Sequence, residues 1–217
     1  MAGIDSTKTS TRNRILIAAA DLFAQKGYAE TTVRELSAAI GVKASSIYHH
    51  FPSKSAILKT LLEDYLKLYS GTLDDEGLYS RLREHPTSEG IMSCQKLSFP
   101  PNQEEYYLKV LCVLLQEQHR NSVIRDFMAE HIIMRAENLV VRIIEALKRL
   151  GVIRWDTNSD FWAKTTSSLL YTFSNRMMLG IGDSAPDFMG MGMTDVLKTM
   201  YDIMLKTCDA ADRVSVS

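Results

Sequence analysis

The side chains best suited to chemistry in this 217-residue sequence lie between Val42 and Lys54. At helical spacing, Ala44, Ser45, Tyr48 and His49 fall on one side of a short stretch, and Ile47 and Phe51 on the other. Small groups at its amino-terminal end let backbone and hydroxyl approach base edges, while the phenol and imidazole further along reach phosphates on the groove walls. That chemistry is recognition of duplex DNA, not bond making. The charge agrees: residues 1–56 hold seven basic groups against four acidic ones, net +3, while the remainder holds 18 against 22, net −4. A basic head on an acidic body fits a segment that meets a polyanion.

Other chemistries find less support. The five histidines include an adjacent pair, His49 and His50, whose side chains point about 100° apart on a helix. His119 and His131 have no histidine or acidic partner four residues on, and His50, beside Phe51, is expected to pack. HExxH, GxSxG, P-loop and dinucleotide glycine patterns are absent, and Gly-Ile-Gly (180–182) and Gly-Met-Gly-Met (190–193) follow helices, where they read as hinges. Cys94, Cys112 and Cys208 are an odd, widely spaced set with no CxxC, which reads as small hydrophobes in a reducing compartment. No metal, cofactor or enzymatic activity is expected. With 46% hydrophobic and 24% charged residues the chain reads as globular, and no apolar run approaches the roughly 18 residues of a membrane span. The polar amino terminus lacks the apolar middle of a secretory signal, so a cytoplasmic location is expected.

The elements that must position these residues read as helices throughout. Ile15, Ala19, Leu22 and Phe23 make one stripe from about Thr11 to Lys26, with Gly27 following as a left-handed cap. Thr32 and Glu35 form a capping box opening a second helix that ends at Gly41. A third runs from Ala44 to Phe51, where Pro52 stops it, and Ser53 caps a fourth that reaches about Ser70. Three short helices joined by glycine turns describe a helix-turn-helix. Further helices are expected near 74–84, at most one around 90–97, then 106–115, 122–150, 158–179 and 194–208. Residues 106–115, apolar except Lys109, should be enclosed by other helices, and His131, Arg135, Asn138, Arg142, Glu145 and Arg149 should form one solvent stripe. There is no repeat.

Residues 18–58 resemble the tetracycline-repressor (TetR) family of transcriptional regulators. The marks are Gly27-Tyr28 after the first helix, Thr31-Thr-Val-Arg-Glu-Leu36 opening the second, Gly41-Val42 at the turn, and Ile47-Tyr-His-His-Phe-Pro-Ser-Lys54 leading into the fourth. The resemblance implies an all-α protein with a three-helix DNA-binding domain at 1–52, including an amino-terminal arm at 1–10, and a larger ligand-binding and dimerisation bundle at 53–217. It implies that Thr32, Tyr48, His49 and Lys54 contact phosphates, that Arg34 reaches backbone or a nearby base, and that Lys43, Ala44 and Ser45 face base edges. Lys8, Arg12 and Arg14 read either as a solvated tail or as a minor-groove arm. Two positions depart from the pattern: Lys43 stands where the family has a capping Ser, and Ser55 where it prefers an acidic residue.

One recognition helix reads too few base pairs for genomic specificity, so a homodimer on a palindromic operator is expected. Its interface is expected on the last two helices, from Phe161, Thr165, Leu169, Thr172, Phe173, Arg176 and Met177 together with Leu197, Met200, Tyr201, Met204 and Leu205. The resemblance further implies a small-molecule cavity, with Tyr65, Tyr69, Met92, Tyr107, Leu111, Phe127 and Tyr171 as lining, and a repressor released by a hydrophobic or amphipathic effector. The alternative keeps the DNA head and makes the bundle a platform for a protein partner.

Overall fold

The computed structural model describes residues 10–69, 73–95, 102–178 and 193–211; the side chains of Tyr69, Met177 and Met178 lie outside the described residues. The expected arm at 1–10 is thereby described only at Ser10, and the expectations for Lys8, for Gly180–Gly182 and for most of 190–193 also fall outside.

The helices are, in chain order, α1 (Thr11–Lys26), α2 (Val33–Ala39), α3 (Ala44–His50), α4 (Lys54–Leu66), α5 (Asp75–Glu84), α6 (Ser88–Gln95), α7 (Glu104–Glu117), α8 (Ser122–Phe127), α9 (Met134–Arg149), α10 (Ser159–Met178) and α11 (Met193–Thr207). A 3-10 turn, Lys67–Tyr69, continues α4. The described residues hold no strand, only an isolated bridge between Ile153 and Asp209. The all-α expectation is met. The chain divides into two compact units, Met1–Ser70 with Ser98–Ala129, and Gly71–Leu97 with Glu130–Ser217.

In the first unit α1, α2, α4 and α8 begin where the sequence offers a side-chain acceptor. The Ser10 hydroxyl accepts from the Asn13 amide at 3.3 Å, the Ser53 hydroxyl from the Ala56 amide at 3.1 Å, and the Asn121 side-chain Oδ1 from the Val123 amide at 3.0 Å. Ile15, Ala19 and Phe23 of α1, Leu36 of α2, Ile47 of α3 and Ile57 and Leu61 of α4 are fully buried. Burying the isoleucine, leucine and phenylalanine side chains among them stabilises by about 1.5–3 kcal/mol each. Helix α7 contributes Val110, Val113 and Leu114 to the interior, yet Leu108 stays 41% exposed. It is therefore not wholly enclosed as the sequence predicts.

The second unit packs Leu78 and Leu82 of α5, Ile91 of α6, Ile143, Ile144 and Leu147 of α9, and Tyr201 and Met204 of α11 into one core. The helix expected over 122–150 is interrupted by a π-helix, Met128–Ile133. A π turn admits one more residue than an α turn, which a 100° periodicity does not detect. Within the expected stripe, Arg135, Asn138 and Arg149 are exposed while His131, Arg142 and Glu145 are half-buried. Arg142 turns to Asp75, at 2.6 Å, and to the Leu73 carbonyl, at 2.9 Å.

Candidate nucleic-acid interface

Helices α2 and α3 are held by a small number of internal contacts. Thr32 and Glu35 make the expected capping box: the Thr32 amide donates to Glu35 Oε2 at 2.8 Å, and the Glu35 amide to Thr32 Oγ1 at 3.2 Å. Lys26 pairs with the other carboxylate oxygen at 2.5 Å. The Lys26 bond first, then those from Thr32, hold the Glu35 carboxyl down at about 2. Gly41 turns the chain with φ +69°, a conformation that disfavours any side chain. The Arg14 guanidinium reaches the Ile40 carbonyl at 2.5 Å, closing the end of α2.

Helix α3 starts at Ala44 with Lys43 as its N-cap, and no side chain caps it. The Lys43 departure therefore leaves the helix start in place but without the capping hydroxyl. Ile47 and Phe51 anchor the inward side, 0% and 3% exposed. The opposite side presents Lys43, Ser45, Tyr48 and His49 to solvent, with Ala44 half-buried among them. Tyr48 is 53% exposed. A groove of about 400 Å³ runs beside this face, lined by Thr11, Val42, Ser45, Ser46, His49 and His50. The structure thus brings Lys43, Ala44, Ser45, Tyr48 and His49 together. Arg34 is exposed on α2, and the described residues show no bond to its guanidinium.

Four further placements bear on the sequence reading. The Lys54 ammonium donates to the carbonyls of Tyr28 (2.6 Å), Ala29 (3.1 Å) and Thr31 (2.8 Å). With three hydrogens and three internal acceptors, it braces the turn before α2. Thr32 is similarly occupied, since its hydroxyl and amide both engage Glu35. Arg12 and Arg14 lie within α1, Arg12 5.1 Å from the centre of the Phe51 ring and Arg14 on Ile40, so neither belongs to a free arm. His50, expected to pack, is exposed and forms a T-shaped pair with His49 at 5.4 Å.

The residues expected to line an effector cavity divide between the units. In the first, Tyr65, Tyr107 and Phe127 are buried and Leu111 half-buried, with the Tyr65 and Tyr107 rings 6.4 Å apart. The Tyr106 hydroxyl, one residue away, donates to Asp64 at 3.2 Å. In the second, Met92 and Tyr171 are half-buried.

The expected dimer residues also sort by burial. Phe161 (57% exposed), Thr165, Leu169 and Thr172 line a shallow surface groove of about 410 Å³ with Lys164 and Ser168. Leu197, Met200, Tyr201 and Met204 are instead buried in the unit's own core, as is Phe173 at 8% exposure. A side chain already covered inside its own chain offers no surface to a second copy. Arg176 and Leu205 are half-buried. The exposed apolar groups of α11 are Met193 and Ile203, which periodicity alone did not single out. Among the described residues no group of three or more His, Cys, Asp or Glu is placed to hold a metal ion, and no helix is long and apolar enough to cross a membrane.

Two short helices anchored by Leu36, Ile47 and Phe51, a glycine turn between them and an outward face of small, cationic and hydrogen-bonding side chains make this a helix-turn-helix head. Residues 15–61 match the sequence model of the bacterial regulatory proteins of the tetR family. The HTH-type transcriptional repressor KstR2 of Rhodococcus jostii is 39% identical over 79 residues, which are 36% of this chain and 34% of that protein. The probable HTH-type transcriptional regulator YttP of Bacillus subtilis is 31% identical over 85 residues, 39% of this chain and 40% of the other. The chain thus matches only about a third of the length of these curated relatives. Family and relatives are transcriptional regulators, not enzymes.

Solved structures extend the likeness along the chain. The TetR-family regulator PfmR of Thermus thermophilus is similar with a TM-score of 0.57 and 23% identity, covering 89% of this chain and 97% of its own. A Saccharomonospora viridis regulator solved in complex with choline gives 0.54 and 22%, covering 90% and 95%. At such identities the likeness establishes the fold: a helix-turn-helix head followed by a helical bundle.

Proposed function

We propose that the chain is a DNA-binding transcriptional repressor acting as a homodimer on a palindromic operator, from which a small hydrophobic or amphipathic ligand releases it. The observation that carries the reading is the outward face of α3, where Ser45, Tyr48 and His49 stand in solvent while Ile47 and Phe51 lock the helix from behind. Ser45, with Lys43 and Ala44, is assigned to base edges, and Tyr48 and His49 to phosphates. Arg34 reaches backbone or a nearby base. The DNA-binding domain is taken as 1–52 and the ligand-binding and dimerisation bundle as 53–217, in a cytoplasmic protein. The relatives named as repressors support the sign of regulation, and the neighbour holding choline supports a small effector. Tyr65, Tyr107, Leu111 and Phe127 are the lining assigned to the first unit.

Selection of bound sequences from random duplex DNA tests the reading directly. It should return an inverted repeat whose half-sites lie about 34–36 Å apart or at a multiple of one helical turn. Affinity for that sequence should fall roughly 10³- to 10⁵-fold between 50 and 200 mM salt if six to ten phosphates are neutralised. Failure to enrich any sequence, with a flat salt response, would refute DNA recognition. A thermal-shift screen against small metabolites tests the effector; the absence of any hit would favour a protein partner on the bundle.

A further inference from the structure

Glu117 closes α7 with a carboxylate that is buried, 7% exposed, and its Oε1 accepts the backbone amide of Tyr28 at 2.7 Å. The same oxygen lies 3.0 Å from where a Cβ on Gly27 would stand, and Gly27 has φ +89°. A side chain there would be strained and would press on the carboxylate, so the chain passes Glu117 as glycine. Lys54 holds the same turn from α4, through the Tyr28 carbonyl. Two other contacts run alongside: the Gln116 side-chain amide donates to the Ala24 carbonyl at 3.2 Å, and Lys109 pairs with Asp21. Thr31, fully buried, ties the far end of the turn back to the Gly27 carbonyl at 2.9 Å. Burial first, and then the negative charge of Glu117, pushes the Tyr28 phenol above its ordinary value. The residues from Gly27 to Thr31 lead directly into the cap of α2.

We propose that Glu117 is a positioning residue for the DNA-reading helices: through the Tyr28 amide it fixes the turn that sets α2 and α3, so that operator affinity depends on where α7 stands. The proposal rests on the DNA-binding reading above and adds to it a regulatory linkage internal to the first unit. Glu117 touches no DNA in this scheme. Its influence passes through backbone that Lys54 holds from the other side.

Variants of the full chain separate reach from charge. Glu117→Gln keeps an acceptor oxygen at the same distance from the backbone, whereas Glu117→Asp keeps the charge but is one methylene shorter. The measurements are amide hydrogen exchange across 27–40 and affinity for the selected operator at several salt concentrations. The Gln variant should stay within about threefold of the parent in both. The Asp variant should exchange the Tyr28 amide about tenfold faster and bind the operator about tenfold more weakly, the scale of one lost hydrogen bond to a charged group, with an unchanged salt slope because no phosphate contact is lost. Equal behaviour of the two variants, or unchanged exchange at Tyr28 in the Asp variant, would overturn the proposal. So would a Tyr28 amide in the parent chain that exchanges as fast as a solvent-exposed one, a result independent of whether any variant folds. If the parent binds no duplex, the DNA-binding reading fails by itself, and the exchange data still decide whether Glu117 holds the turn.

Discussion

The ammonium of Lys54 lies 4.4 Å from the centre of the Tyr28 ring and donates to the Tyr28 carbonyl at 2.6 Å. One cation thus satisfies a carbonyl and covers an aromatic face at the turn between α1 and α2. Lys54→Met preserves the apolar stem and removes the three donated hydrogens. The expected result is a loss of about 1–3 kcal/mol in unfolding free energy, measured by denaturant titration. The salt slope of operator binding should not change. A slope smaller by about one would instead return Lys54 to the phosphate contacts.

The capping box carries a pH dependence whose direction follows from Glu35. Its carboxyl is held down from 4.5 to about 2 by Lys26 and Thr32. A depressed folded-state value contributes stability that is complete above the ordinary carboxyl range and disappears as pH falls from about 4.5 towards 2. Glu89, drawn to about 2 by Lys198, loses its contribution in the same window. Glu35→Gln should therefore be less stable than the parent at neutral pH and converge on it at pH 2. Thermal melts at pH 7, 4 and 2 check this, and a constant gap across the three would contradict the assignment.

Arg34 and Tyr48 separate charge from hydrogen bonding at the DNA face. Arg34→Ala removes a cation, so if it neutralises a phosphate the dependence of log affinity on log salt should become shallower by about one. Tyr48→Phe removes only a hydroxyl from a side chain 53% exposed. It should weaken operator binding by about 0.5–1.5 kcal/mol and leave the slope unchanged. Fluorescence anisotropy titrations at four salt concentrations distinguish the two effects. Identical losses of slope would show that the Tyr48 variant acts by displacing α3.

Much of the head was legible because its signals are local. The Thr32–Glu35 box, the glycine at 41, the Ser53 cap and the inward pair Ile47 and Phe51 all depend on residues a few positions apart. Lys54 and Glu117 were not legible in the same way. Their partners stand 23 to 26 and 89 residues away in sequence, and nothing local distinguishes a lysine that will meet phosphate from one that will meet carbonyls. The bundle shows the same limit. Leu197, Met200, Tyr201 and Met204 share a helical face with the right character for an interface, but a core face has that character too. Only burial in the folded chain separates them.

That separation makes the dimer reading testable on α10 and α11. Tyr201 is fully buried, with its hydroxyl 2.5 Å from the Gln95 side-chain amide and 3.3 Å from Thr166 Oγ1, so Tyr201→Phe should lower the stability of each protomer by about 1 kcal/mol and leave association alone. Phe161 is 57% exposed on a groove it shares with Leu169 and Thr172. Phe161→Glu removes apolar area and places the same charge on both copies across a two-fold axis, where like charges repel. It should raise the dimer dissociation constant by at least about tenfold, a change of about 1.4 kcal/mol, while the far-ultraviolet dichroism stays that of the parent. Sedimentation velocity over a concentration series reads both variants. If Phe161→Glu sediments as the parent does and Tyr201→Phe dissociates, the interface lies on another face and the exposed groove of α10 is not part of it.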